Sequence, residues 1–180
     1  MKQFLSRFRI GAIAILPAVS FGFPRLEPAQ AIDNNPFETC AVELLEARVN
    51  PTAASIACSE ALLPEDLSWC VLKIFEQTPL EGNVALDACF RVRRPIDLAD
   101  CTVYISDEFQ ERDRIFESPD TQQSFARSAL DTCRRSLLPR RFAECAVGLS
   151  REVAISAPEI LDACISAEAY PAVLFPRRTN

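Results

Sequence analysis

Four separate stretches of the chain repeat one pattern of side chains at i, i+3, i+4 and i+7. They are Phe37, Cys40, Ala41, Leu44; Leu67, Cys70, Val71, Ile74; Leu98, Cys101, Thr102, Ile105; and Phe142, Cys145, Ala146, Leu149. This period is the one-sided stripe of an amphipathic helix. Each such helix begins at a proline, which fits the first turn because its missing N–H would be unpaired there anyway. Each is followed by a second helix that ends just past its own cysteine. Those helices carry Leu86-Asp87-Ala88-Cys89, Leu130-Asp131-Thr132-Cys133 and Leu161-Asp162-Ala163-Cys164, with a degenerate first copy, Ser55-Ile56-Ala57-Cys58. Asn50-Pro51, Thr78-Pro79 with Gly82, and Ser156-Ala157-Pro158 break the chain between the two helices of a pair. The pattern predicts an all-α chain of four helical hairpins, stacked as a short α-solenoid or a curved bundle. A compact globular all-α domain is the alternative.

The cysteines show that this is a repeat. In CSEALLPEDLSWC, CFRVRRPIDLADC and CRRSLLPRRFAEC two cysteines lie 12 residues apart, with Pro64, Pro95 or Pro139 midway. Leu67, Leu98 and Phe142 each stand three residues before the second cysteine. The units span residues 36–63, 64–94, 95–138 and 139–170, and residues 171–180 form a tail. Almost no linker separates them, so a sharp helix–Pro–helix corner is expected. Small residues one and four before the second-helix cysteine (Ala57 and Ala54, Ala88 and Ala85, Thr132 and Ala129) allow close packing within a hairpin.

Two disulfide pairings suit this layout. Residues equidistant from a hairpin turn face one another, which pairs Cys40 with Cys58, Cys70 with Cys89, Cys101 with Cys133 and Cys145 with Cys164. The competing set bridges the proline corners, 58–70, 89–101 and 133–145. It strands Cys40 and Cys164 at opposite ends unless the stack closes on itself. The first set is favoured because it pairs every cysteine.

The N-terminus reads as an export signal. Lys2, Arg7 and Arg9 precede the apolar stretch from Ile10 to Phe23, and Ala29-Gln30-Ala31 is an A-x-A cleavage site. Residues 1–31 are therefore expected to be removed. Removal takes away four cations (Lys2, Arg7, Arg9, Arg25) and one carboxylate (Glu27), moving the formal charge from −6 to −9. So acidic a chain is ill-suited to a phosphate backbone, so no nucleic acid is expected. Eight cysteines in an exported chain are read as structural disulfides. No C-x-x-C suggests an exchange thiol, and the spacing is too wide for zinc.

The chain has no histidine and four glycines. Imidazole-based nucleophile pairs are excluded, and phosphate-cradling loops have little to draw on. No catalytic residue, cofactor or metal site is assigned. Asp87, Asp131 and Asp162 recur two residues before a cysteine, about 200° round the helix from it, and should face outward without a ligand cage. Trp69 is expected to pack in the core or between units.

Two features suggest contact with a partner. The third unit is longer by 13 residues, with dense charge and Phe109, Ile115, Phe116 and Phe125, and predicts a hairpin that overshoots its neighbours. Arg91, Arg93 and Arg94, with Arg134, Arg135, Arg140 and Arg141, cluster at two corners, where stacking would bring them to one edge for carboxylate or phosphate docking. The first corner instead carries Glu60, Glu65 and Asp66. Candidate contacts are these seven arginines with Phe109 and Phe116.

The Cys-x5-Pro-x5-Cys unit, the A-Q-A before the mature start and the segment SLLPRRFAECAVGL resemble uncharacterised exported helical proteins of cyanobacteria. The resemblance implies the periplasm or thylakoid lumen as destination, and no activity. The expected function is an exported, non-enzymatic helical repeat that binds another protein or serves a structural role. The alternative is a carrier of a small hydrophobic ligand or lipid in a groove between helices. No stable membrane span is expected after signal cleavage.

Overall fold

A computed structural model describes residues 35–112 and 118–168; the expected signal, residues 1–31, and the tail, 171–180, lie outside the described residues. The described residues form eight helices: α1 Pro36–Glu46, α2 Pro51–Glu60, α3 Pro64–Gln77, α4 Gly82–Phe90, α5 Pro95–Arg112, α6 Pro119–Arg135, α7 Pro139–Glu152 and α8 Ala157–Ser166. Six start on a proline. Side-chain caps add to this: the Asn35 side chain accepts from the Phe37 N–H at 3.0 Å, and that of Asn50 from the Thr52 N–H at 2.9 Å. At α8, Glu159 accepts from the backbone N–H of Ser156 at 3.0 Å, the return arm of a capping box.

Consecutive helices pair as hairpins, each closed by a disulfide. The bridges are Cys40–Cys58, Cys70–Cys89, Cys101–Cys133 and Cys145–Cys164, with Cα separations of 5.9, 6.2, 6.0 and 5.9 Å. The pairing is the within-unit set, and the set that crosses the proline corners is overturned. Ala54, Ala57, Ala85, Ala88, Ala129 and Thr132 are buried, as close packing of the two helices requires. Closing loops of this length stabilises the fold by roughly 3 kcal/mol per bridge in the chain-entropy model. Four disulfides with no free cysteine are the mark of an oxidising, exported setting. No described helix is long and apolar enough to cross a membrane.

The hairpins stack in chain order. Helices α1, α3, α5 and α7 pack side by side in one row, while α2, α4, α6 and α8 pack chiefly on their own hairpin partner or the next unit. All substantial packing is within a unit or between adjacent units, the nearest-neighbour order of a solenoid. Polar ties cross each step of the row. Ser68 donates to Glu43 at 2.5 Å, Lys73 meets Asp100 at 2.6 Å, and Arg140 reaches Asp97 at 2.8 Å and Asp100 at 2.9 Å. Lys73 also lies over the Trp69 ring, 4.6 Å from its centre. Trp69 is thus partly exposed beneath a cation that bridges to α5, outside the core that was one of its two expected places, because its position on α3 turns away from the hairpin.

The repeating stripe is buried in the inner units and fails at the ends. Leu67, Val71, Ile74, Leu98, Thr102 and Ile105 are all buried. Phe37 is 51% exposed and Leu149 37%, although they occupy the same repeat positions. Each lacks the neighbouring unit that covers its inner counterparts. The hairpin of α5 and α6 is longest, as expected, and it leans on its neighbours: Gln123 donates to the Pro79 carbonyl at 3.3 Å, and the Arg151 Nε donates to Glu108 at 3.0 Å.

Turn chemistry explains two further positions. Arg48, just past α1, has φ 59°, the left-handed conformation that ends a helix. The Val49 N–H reaches back to the Leu44 carbonyl and the Arg48 N–H to Leu45, closing a Schellman motif. Gly82, the first residue of α4, abuts this turn: a Cβ there would sit 1.9 Å from the Ala47 carbonyl oxygen. Gly148, by contrast, has open space around it. The two helical glycines should respond oppositely to alanine. Gly82→Ala should destabilise by about 1–3 kcal/mol through overpacking against backbone. Gly148→Ala should stabilise by roughly 0.5–1 kcal/mol through helix propensity. Denaturant unfolding of the two variants checks both signs.

Candidate functional site

The proline corners form the most distinctive surface of the molecule. A residue before proline is pushed out of the helical region, and Leu63 (φ −129°, ψ 83°) and Leu138 (φ −133°, ψ 71°) are extended in this way. The extended step turns the side chains just before the proline outward. Leu62 is 98% exposed and Leu137 77%; Leu63 and Leu138 are exposed as well. At the middle corner Arg93 and Arg94 take these places.

Each corner forms one wall of a cleft whose other wall comes from the next corner or, at the last, from the end of α8. The first cleft, about 380 Å³, is mainly apolar: Leu62, Leu63, Leu67, Phe90 and Val92, with Arg93 at its side. The second, also about 380 Å³, is lined by Arg91, Arg93, Arg94 and Arg134, with Leu98 and Leu137. The third, about 330 Å³, holds Leu137, Leu138, Arg141, Phe142 and Glu168. Val92 and Arg93 belong to both the first and second clefts, and Leu137 to both the second and third. The clefts are therefore neighbours that share walls, and together they make one groove along the corner edge. Cysteines of the hairpin bridges line all three: Cys89, Cys133, and the pair Cys145 and Cys164.

The electrostatics of the middle cleft favour an anion. Arg91 meets Asp87 at 2.9 Å, Arg94 meets Asp97 at 3.6 Å and Arg134 meets Asp131 at 3.3 Å. All three pairs lie within one helix turn or its start; Arg91–Asp87 is exposed on both sides and holds its arginine only weakly, and Asp97 is shared with Arg140. Arg93 has no ion-pair partner among the described residues. A bidentate carboxylate can engage such guanidinium groups without breaking a buried pair.

The structure divides the seven arginines singled out from the sequence. Four share the middle cleft, and Arg141 borders the third. Arg135 lies elsewhere, beside Pro158, Glu159 and Asp162. Arg140 is turned to the row of α5 and α7, where Asp97 and Asp100 hold it. Phe109 is 1% exposed and packs on Phe125 with ring centres 5.2 Å apart, so it fills the third hairpin instead of offering a contact. Phe116 lies outside the described residues. The exposed corner leucines are the part that sequence reasoning missed. Their signal was two leucines directly before a proline, outside the helical stripe.

Other polar features do not converge on a centre. Asp87 and Asp131 face solvent and pair along their own helices. Among the described residues no three His, Cys, Asp or Glu side chains gather to hold a metal. A mixed cleft on the odd-helix row holds Lys73, Asp100, Tyr104, Asp107, Arg140 and Glu144. There, burial and the nearby Glu111 raise the Asp107 carboxyl above its ordinary pKa, with Lys73 opposing.

Comparison with protein-family models, with curated proteins and with solved structures finds no match to this chain.

The third cleft exposes one bridge more than the others. Cys145 is half-buried, whereas the other seven cysteines are at most 4% exposed. Limiting reductant followed by alkylation should therefore label Cys145 and Cys164 before any other pair, because exchange requires access to sulfur. Peptide mapping of the alkylated protein reads the order.

Proposed function

We propose that this protein is an exported, non-enzymatic interaction module whose corner edge binds an extended segment of another protein. The observation that carries this reading is the groove of three adjoining clefts, with apolar outer clefts and an arginine-lined middle one. Stacked helices lie about 8–10 Å apart, and an extended chain advances about 3.3 Å per residue. One bound side chain per cleft then corresponds to every third residue. The partner segment implied is apolar–x–x–acidic–x–x–apolar. Its carboxylate would meet Arg91, Arg93, Arg94 or Arg134, and its apolar side chains would meet Leu62, Leu63 and Phe90 on one side and Leu137, Leu138 and Phe142 on the other. The middle cleft is a local reversal of sign on an acidic chain, which favours an acidic side chain there and discourages it elsewhere.

The setting proposed is the periplasm or thylakoid lumen, on the strength of the sequence resemblance and the disulfides. The ligand-carrier reading has weaker support. Small-molecule sites enclose most of their ligand, whereas these clefts open along an edge.

Fluorescence anisotropy with a labelled Leu-x-x-Glu-x-x-Leu peptide tests the proposal. Binding should weaken with added salt and fall at least tenfold in the double variant Arg93→Glu, Arg94→Glu. A Leu-x-x-Lys-x-x-Leu peptide should not bind. Arg140→Gln, off the groove, should leave affinity unchanged. Absence of binding, or binding indifferent to the charge of residues 93 and 94, overturns the reading.

A further inference from the structure

The two ends of the stack differ in a way that points to self-association. In units two to four, one side of the first helix meets the preceding unit. Ser68, two residues before its cysteine, bonds to Glu43 of α1, and the Arg48 guanidinium lies over Phe75, five residues after the cysteine, at 5.7 Å. On that side, Leu67, Leu98 and Phe142, three residues before the cysteine, are all buried. The first unit has no predecessor, yet the equivalents of Leu67 and Phe75 remain apolar, while that of Ser68 is the exposed Glu38. Phe37 and Leu45 are 51% and 48% exposed, with Ala41 half-buried between them. Val42 adds to the exposed surface on α1. On α2, exposed Ile56 occupies the position that is Asp87, Asp131 and Asp162 in the other units.

Terminal units of a solenoid ordinarily turn a polar face outward. The last unit comes nearer to this rule, with Arg141, Glu144 and Glu152 exposed on α7 beside a less exposed Leu149. The first unit breaks it. We infer that the outer face of α1 docks on the same face of a second copy, making a two-fold dimer. Phe37, Ala41 and Leu45 lie four residues apart in a large–small–large stripe along one side of the helix. Two such stripes run antiparallel set Phe37 of each copy against Leu45 of the other, with the two Ala41 residues at the axis. This is a self-complementary patch of the kind an isologous interface needs.

Charge argues against the head-to-tail alternative. Inside the chain, Glu108, seven residues after its cysteine, meets Arg151, six after its own. The same step from the last unit of one copy to the first of another would set Glu152 against Glu46, two like charges. Gly148 would also offer no side chain at the position where Glu43 and Lys73 reach the next unit.

Sedimentation analysis of the protein recovered from its exported compartment should show a dimer that dissociates on dilution. Leu45→Glu should halve the molar mass while leaving helical content and disulfide map unchanged. Ala41→Cys should form a covalent dimer without reductant, and Gly148→Cys should not. A monomer at every concentration overturns the inference, as does a dimer insensitive to Leu45→Glu. Cross-linking between Ala41→Cys and Gly148→Cys chains in a mixture also overturns it, by demonstrating head-to-tail contact. None of these outcomes bears on peptide binding at the corner edge.

Discussion

Each hairpin is tied by a disulfide near its open end, and the corner edge depends on that placement. The Cys-x5-Pro-x5-Cys segment sets each corner midway between two bridges, one closing the unit before and one opening the unit after. The ends of four helices are thereby held close together at every corner. The clefts form between these fixed ends, which is why bridge cysteines recur along their walls. A hairpin pinned at its loop alone would leave its open end free to splay, and adjoining corners would have no fixed spacing.

The same constraint suits the thinness of the fold. A stack of hairpins buries side chains only between neighbouring units, so no unit gains from a distant one. Many buried positions here are small: Ala54, Ala57, Ala85, Ala88, Ala126, Ala129 and Ala146. Small residues bring helices close but contribute little apolar area each. Cross-links reduce the freedom of the unfolded chain regardless of how much area is buried, and the ion pairs from Lys73 through Asp100 to Arg140 add lateral ties along the odd helices. The buried Ser106 hydroxyl, which has no hydrogen-bond partner, is one position where this close packing carries a polar group at a cost.

Much of the architecture was legible because the repeat is written three times over in residues with strong geometric meaning. Proline marks helix starts, and cysteine spacing marks facing positions, so helix order, hairpins and bridges follow from local rules. What was not legible depends on position within the stack. Phe37 and Leu149 share the stripe of Leu67 and Ile74 but lie at the ends, and no periodicity within a unit encodes the absence of a neighbour. The dense charges around Phe109 suggest a surface anchor, yet Phe125 on the partner helix covers it. The arginines were legible as a cluster but not as separate groups. Arg140 and Arg141 are adjacent in sequence, but about 100° apart around α7, which sends one to the odd-helix row and the other to the groove.

A groove built on cross-linked helix ends has a further consequence for recognition. Binding an extended segment costs conformational freedom on both sides, and a rigid receptor limits that loss to the partner. Leu63 and Leu138, directly before proline, are already held extended, so the backbone of these corners needs little ordering to receive a side chain. Proline alone restricts the residue before it, but only the bridges fix one corner relative to the next. Spacing between anchors, and with it any preference for every third residue in a partner, therefore belongs to the oxidised protein. In the proposed role the oxidising compartment is then more than a place where the disulfides survive, because it maintains the spacing on which recognition depends.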